Sequence, residues 1–114
     1  MLTTRQIFDK AKSHLLTQRA KAVNEDGECA YRTNNGLQCA VGCLIERSEY
    51  RKEMEGLTFD ELDQVRMAFK NFDLGNREHY ALLGRLQHIH DLYQVDVWED
   101  KLNKLENDFF GNAN

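Results

Sequence analysis

Proline is absent from all 114 residues, where average usage of about 5% would place roughly six. Helix ends must therefore be set by caps and glycines, and no cis-proline step can slow folding. No apolar run approaches the roughly 20 residues that a membrane span needs. The opening stretch M-L-T-T-R-Q-I-F-D-K has no apolar core of a secretory signal, which predicts a cytoplasmic location. Cysteine is scarce and odd in number, with three in the chain. That fits poorly with a disulfide framework and well with thiols kept reduced. An excess of basic residues is also missing. Fifteen Lys and Arg face nineteen Asp and Glu, for a net charge of −4. This argues against a broad phosphate-binding surface and so against a nucleic-acid partner.

What is present is ordinary globular material, 41% hydrophobic and 30% charged, enough for one domain over residues 1–114. Thr3 or Thr4 can cap a first helix with Ile7, Phe8, Ala11, Leu15 and Leu16 at helical spacing, running to about Ala22. Asn34-Asn35-Gly36 lies between Cys29–Thr33 and Leu37–Cys39 and predicts a short β-hairpin. The run from Cys39 to Ile45 predicts a buried helical turn. Ser48–Glu55 predicts a short charged helix closed by Gly56. Thr58 and Glu61 form a capping box ahead of Phe59, Leu62, Val65 and Phe69. Asn76 can cap a helix whose stripe is Leu82, Leu83, Leu86, Ile89 and Tyr93. Asp96 and Glu99 suggest a second box ahead of Trp98, Leu102, Leu105 and Phe109, which share one face. The tail Gly111–Asn114 should fray. The predicted fold is mainly α with one short hairpin, a small α+β domain whose core joins Cys39, Val41 and Leu44 to Leu83, Leu86 and Trp98.

Residues 29–45, C-A-Y-R-T-N-N-G-L-Q-C-A-V-G-C-L-I, hold all three cysteines and concentrate the candidate chemistry. Free cysteine packs as a small hydrophobe, and core packing is the first reading for these thiols. Cys39 and Cys43 would share a helix face, and with Cys29 across the hairpin they are candidate metal ligands. Alternatively, Cys39 at a helix start could be a nucleophile with His90 as base and Asp91 as its orienter, a small cysteine hydrolase. On the helix period His79 and His90 fall with the core stripe and His88 points to solvent. H-I-H-D therefore does not present two histidines together.

Candidate binding anchors lie on the hairpin and the charged segment after it. Tyr31 and Arg32 alternate sides of a strand, and Tyr50 and Met54 lie four apart. Irregular segments held by a helical scaffold are where binding surfaces concentrate.

The segment C-A-Y-R…G-L-Q-C-A-V-G-C-L-I, M-E-G at Met54–Gly56, L-L-G-R-L-Q-H-I-H-D and a tryptophan near the C-terminus together resemble a group of small uncharacterised proteins of bacteriophage and bacterial genomes. The resemblance covers Cys29 to Leu102. It implies a phage-type accessory protein acting in the host cytoplasm. Such a protein would bind a host or defence component, protein or small ligand, stoichiometrically and without catalysis or a cofactor. Oligomeric state is left open, a homodimer among the options.

Overall fold

In the computed structural model, which describes residues 1–111, three α-helices do most of the packing. Helix α1 spans Thr4–Gln18. Its cap is Thr3, whose hydroxyl accepts the Gln6 N–H while the Gln6 side chain takes the Thr3 N–H, a reciprocal box that satisfies two otherwise free donors. The helix stops at Gln18, short of the expected Ala22. Arg19 turns left-handed at φ 48° and donates back to Leu15 O. The Gln18 side chain bonds the Gln38 backbone in both directions, at 3.0 and 2.9 Å. Helix α2 spans Arg77–Leu92, capped by Asn76 through the Glu78 and His79 N–H groups. Helix α3 spans Trp98–Phe110. The box expected from Asp96 and Glu99 does not form. A 3-10 turn at Val95–Val97 leads into α3, and the Trp98 indole donates to Tyr93 O at 3.1 Å, fixing the entry of the chain. Each of the three helices packs on the other two.

Residues 19–76 contain no α-helix. They carry only 3-10 turns, at Gly42–Leu44, Lys52–Met54 and Phe59–Gln64. The charged helix expected over Ser48–Glu55 shrinks to one of these. Its glutamates are used otherwise: buried Glu49 accepts the Glu46 N–H at 3.0 Å and the Lys70 N–H at 2.7 Å. Thr58 and Glu61 do form their box, with the Thr58 N–H on Glu61 Oε1 at 3.0 Å, but the turn ends at Gln64 and does not reach Phe69. Phe69 packs instead through a loop, its ring stacked on Phe72 at 4.7 Å.

The expected β-hairpin is not formed, and no strand occurs among the described residues. Two loops are each pinched by a single antiparallel bridge, Val23 with Cys29 and Arg32 with Gln38. Two ladder bonds form, Thr33 N–H to Leu37 O at 2.9 Å and Cys39 N–H to Tyr31 O at 3.4 Å, and side chains take the neighbouring backbone donors. Glu55 accepts the Tyr31 and Arg32 N–H groups at 3.0 and 3.1 Å, and Gln18 accepts that of Gln38. The Asn–Gly turn also differs in kind. Only Gly36 takes positive φ, at 88°, so this is the longer turn with a bulging glycine and not the two-residue form.

The core gathers Cys39, Val41 and Leu44 with Leu83, Leu86 and Trp98 as the sequence predicts. A radius of gyration of 13.5 Å is close to the value of about 13 Å for a folded chain of this length. Among the described residues no helix is long and apolar enough to cross a membrane. Of the tail Gly111–Asn114, residues 112–114 lie outside the described residues.

Candidate functional site

The turn at Asn24–Glu28 curls over the C-terminal half of α2. Between it and the loop Glu55–Asp60 opens a cleft of about 560 Å³. Gly84, Gln87, His88, Asp91 and Leu92 of α2 form its floor, and Cys29, Tyr31, Leu57 and Phe59 line its walls. The loop geometry is local in origin. Asn24 Oδ1 accepts the Asp26 and Glu28 N–H groups at 2.9 and 3.0 Å, and Gly27 supplies the positive φ of 81° that a residue with a Cβ adopts only at a cost.

Cys29 and Asp91 of this lining meet His90 behind it, their ligand atoms within 4.8 Å of one another. His90 is fully buried. Its Nε2 accepts the Ala22 N–H at 3.0 Å, so its proton resides on Nδ1, which donates to Asp91 Oδ1 at 2.7 Å. Both ring nitrogens are thus committed, and the one lone pair, on Nε2, is taken by the Ala22 N–H and not left for a metal or for a thiol proton. Cys29 sits against Asp91. Burial of the sulfur and then the Asp91 charge push its thiol up to about 11, the reverse of what a nucleophile needs. Three groups with the composition of a catalytic triad therefore form a structural lock, and as a metal site they offer only two free donors where structural zinc takes four.

The other sequence-predicted chemistry is dispersed. Cys39 is buried, its Sγ accepting the Gly42 N–H at 3.2 Å, and burial drives its thiol up to about 12. Cys43 donates to Ala40 O at 3.1 Å, and burial likewise raises it to about 12. Among the described residues Cys29, Cys39 and Cys43 do not form a ligand cluster. The proposed trio Cys39, His90 and Asp91 is brought together only in its last two members.

The binding anchors are corrected in part. Met54 is fully buried and Tyr31 nearly so, with the Tyr31 hydroxyl donating to Leu57 O. Neither presents a free side chain, although Tyr31 lines the cleft wall. Tyr50 and Arg32 are half-buried and tied together. The Arg32 guanidinium stacks over the Tyr50 ring at 5.3 Å and donates to Ile45 O at 2.7 Å. The Tyr50 hydroxyl donates to Glu55 Oε2 at 2.6 Å; desolvation first, then this bond, hold it above the usual phenol range. Glu55 is therefore the hub of the region, and sequence reasoning missed it. Its one signal was a position just before Gly56, at the end of a charged run. Glu28 and Asp60 of the cleft were missed for the same reason, since solvated charges carry no periodicity.

Comparison of the chain with protein-family models, with curated proteins and with solved structures finds no match.

Proposed function

We propose that this chain is a stoichiometric binding protein and not a catalyst, with the cleft between Asn24–Tyr31, Glu55–Asp60 and α2 as its working surface. The partner is a host or defence component, as the resemblance to small phage and bacterial proteins implies. One observation carries the reading. The cleft is open and built by three separate segments, yet its one thiol is held protonated beside a carboxylate, and the histidine that meets that pair, His90, is buried behind the lining with both ring nitrogens engaged. Preformed concave sites of this size suit a ligand or an inserted side chain. The binding surface is accordingly displaced from Arg32, Tyr50 and Met54 toward the α2 side of Tyr31.

Capture from bacterial host lysate with tagged protein, read by native mass spectrometry, tests this. Wild type and Cys29→Ala should retain the same partner at fixed stoichiometry. The double reversal Glu28→Lys/Asp60→Lys should lose it while melting as wild type, since both residues are exposed. Turnover of p-nitrophenyl acetate that Cys29→Ala abolishes would overturn the reading in favour of a hydrolase.

A further inference from the structure

We infer that the cleft continues along α2 into a second one, and that the joined trough docks a partner segment in which basic and apolar side chains alternate. This deepens the binding reading above and rests on it.

The trough has a continuous floor. Tyr80, Gly84, His88 and Asp91 fall at i, i+4, i+8 and i+11 of α2, one face of the helix and a different one from the buried stripe. A second cavity of about 600 Å³ lies at the Tyr80 end and shares Asp60 with the first. Between them stands the Phe59–Tyr80 ring pair, centroids 5.2 Å apart. Phe59 lies low because Gly84 beneath it has no side chain; a Cβ there would come 3.3 Å from the Phe59 ring. From Tyr80 to Leu92 the floor runs about 18 Å along the helix, the reach of five or six extended residues.

Two independent features define the occupant. The first is apolar. Of the five exposed large hydrophobic residues, Met1, Met67, Tyr80 and Leu92 line these two cavities, and only Val23 does not. Exposed apolar side chains gathered in one place mark a contact surface. The second is charge. Glu28, Glu55, Asp60, Asp63, Asp73 and Asp91 line the trough, no Lys or Arg does, and none of the six is paired with Lys or Arg among the described residues. Of the thirteen acidic residues elsewhere, six have such partners: Asp9, Glu46, Glu49, Glu53, Glu106 and Asp108. A second copy of this acidic chain would meet repulsion here. A basic segment gains both attraction and orientation, and its apolar side chains cover Met67 and Leu92.

Fluorescence anisotropy on the whole protein, with a labelled Lys-Leu-Lys-Leu-Lys-Leu peptide, tests the assignment. The peptide should bind, and Glu28→Gln/Asp60→Asn/Asp63→Asn should weaken it about tenfold or more. Met67→Ser/Leu92→Ser should weaken it by a similar factor. Thermal melts should show all variants folded, since every substituted side chain is exposed and such changes cost little. Equal affinity for the Glu-Leu counterpart, or no loss in either variant, overturns the inference. So does displacement by spermidine or a Lys-Ser peptide as effectively as by the Lys-Leu peptide, which would show attraction of free amines without a docked segment. A lysate partner retained by a protein that ignores the peptide sinks this inference alone, whereas Cys29-dependent turnover sinks the binding reading itself.

Discussion

The three helices and the long middle segment hold themselves together by different physics. α1, α2 and α3 bury apolar stripes that recur every three to four residues, such as Leu82, Leu83, Leu86 and Ile89. Their backbone donors are satisfied within each helix. Residues 19–76 have no such internal ladder. There short backbone turns are joined to one another by a few carboxylates and carboxamides that accept N–H groups: Glu55 those of Tyr31 and Arg32, Glu49 those of Glu46 and Lys70, Gln87 that of Val41. The helical part is redundant, because each bond resembles its neighbours. In the middle part single side chains serve several donors, and a single loss leaves buried groups unpaired. The cleft lies on the seam, its floor from one region and its walls from the other.

The largest effects should come from the tightest packing in each region. A Cβ at Gly42 would lie 2.1 Å from Tyr31 O, and backbone cannot yield as a side chain does. Gly42→Ala should cost about 3 kcal/mol or more, of the order of other severe packing and backbone clashes. Trp98→Ala, which empties a fully buried site, should cost about 3–5 kcal/mol. Urea titration measures both. Wild-type stability in Gly42→Ala would mean that the 3-10 turn adapts freely and that the middle is looser than described.

Next is the hub. Glu55→Ala should cost about 2–3 kcal/mol, because it strips three donors of their acceptor. Its signature is selective. Amide exchange should accelerate over 24–39 while α1 and α3 keep their protection and helical circular dichroism is unchanged. Uniform acceleration would erase the distinction between the regions.

Cys39→Ser should cost about 1–3 kcal/mol through an imperfectly paired hydroxyl. The thiol also predicts a pH limit. Its value is raised to about 12 in the fold, above that of an ordinary thiol, so the stabilisation is fully present below about pH 8.5 and is lost as pH rises toward 12. The loss should approach about 1.4 kcal/mol per pH unit in that window. Cys39→Ala should lower the slope by that amount, leaving the share of Cys43 and the other raised groups, and an unchanged slope would assign the alkaline loss wholly to them.

The smallest effect is kinetic. Cys29 is the exposed thiol, yet its value near 11 leaves about a thousandth of it as thiolate at pH 8. Iodoacetamide should label it roughly a hundredfold more slowly than free cysteine, and Cys39 and Cys43 should react only in denaturant. Rapid labelling at pH 8 would reopen the hydrolase reading.

How far the sequence reached follows the same seam. The helix start at Thr3 or Thr4, the Asn76 cap and the faces of α2 and α3 could be read directly, because amphipathic period and capping chemistry are local properties. So could the burial of His79 and His90 and the exposure of His88. The missing hairpin, the shortened Ser48–Glu55 helix and the burial of Met54 could not. Propensity favoured a ladder and a helix, but Glu55 takes the Tyr31 N–H from far along the chain, and Glu49 is drawn into the core to accept the Lys70 N–H. No periodicity announces an acceptor 24 residues away. The same holds for the trough. Glu28, Asp60 and Asp91 read as scattered surface charge until folding brings them to one rim. By itself, then, the sequence determined the helices and which of their faces turn inward, since those depend on neighbours three and four residues apart. Only the tertiary structure decided that Cys29 faces Asp91 as a protonated thiol and that Leu92 and Met67 flank one acidic groove, because contact between distant segments sets both polarity and burial.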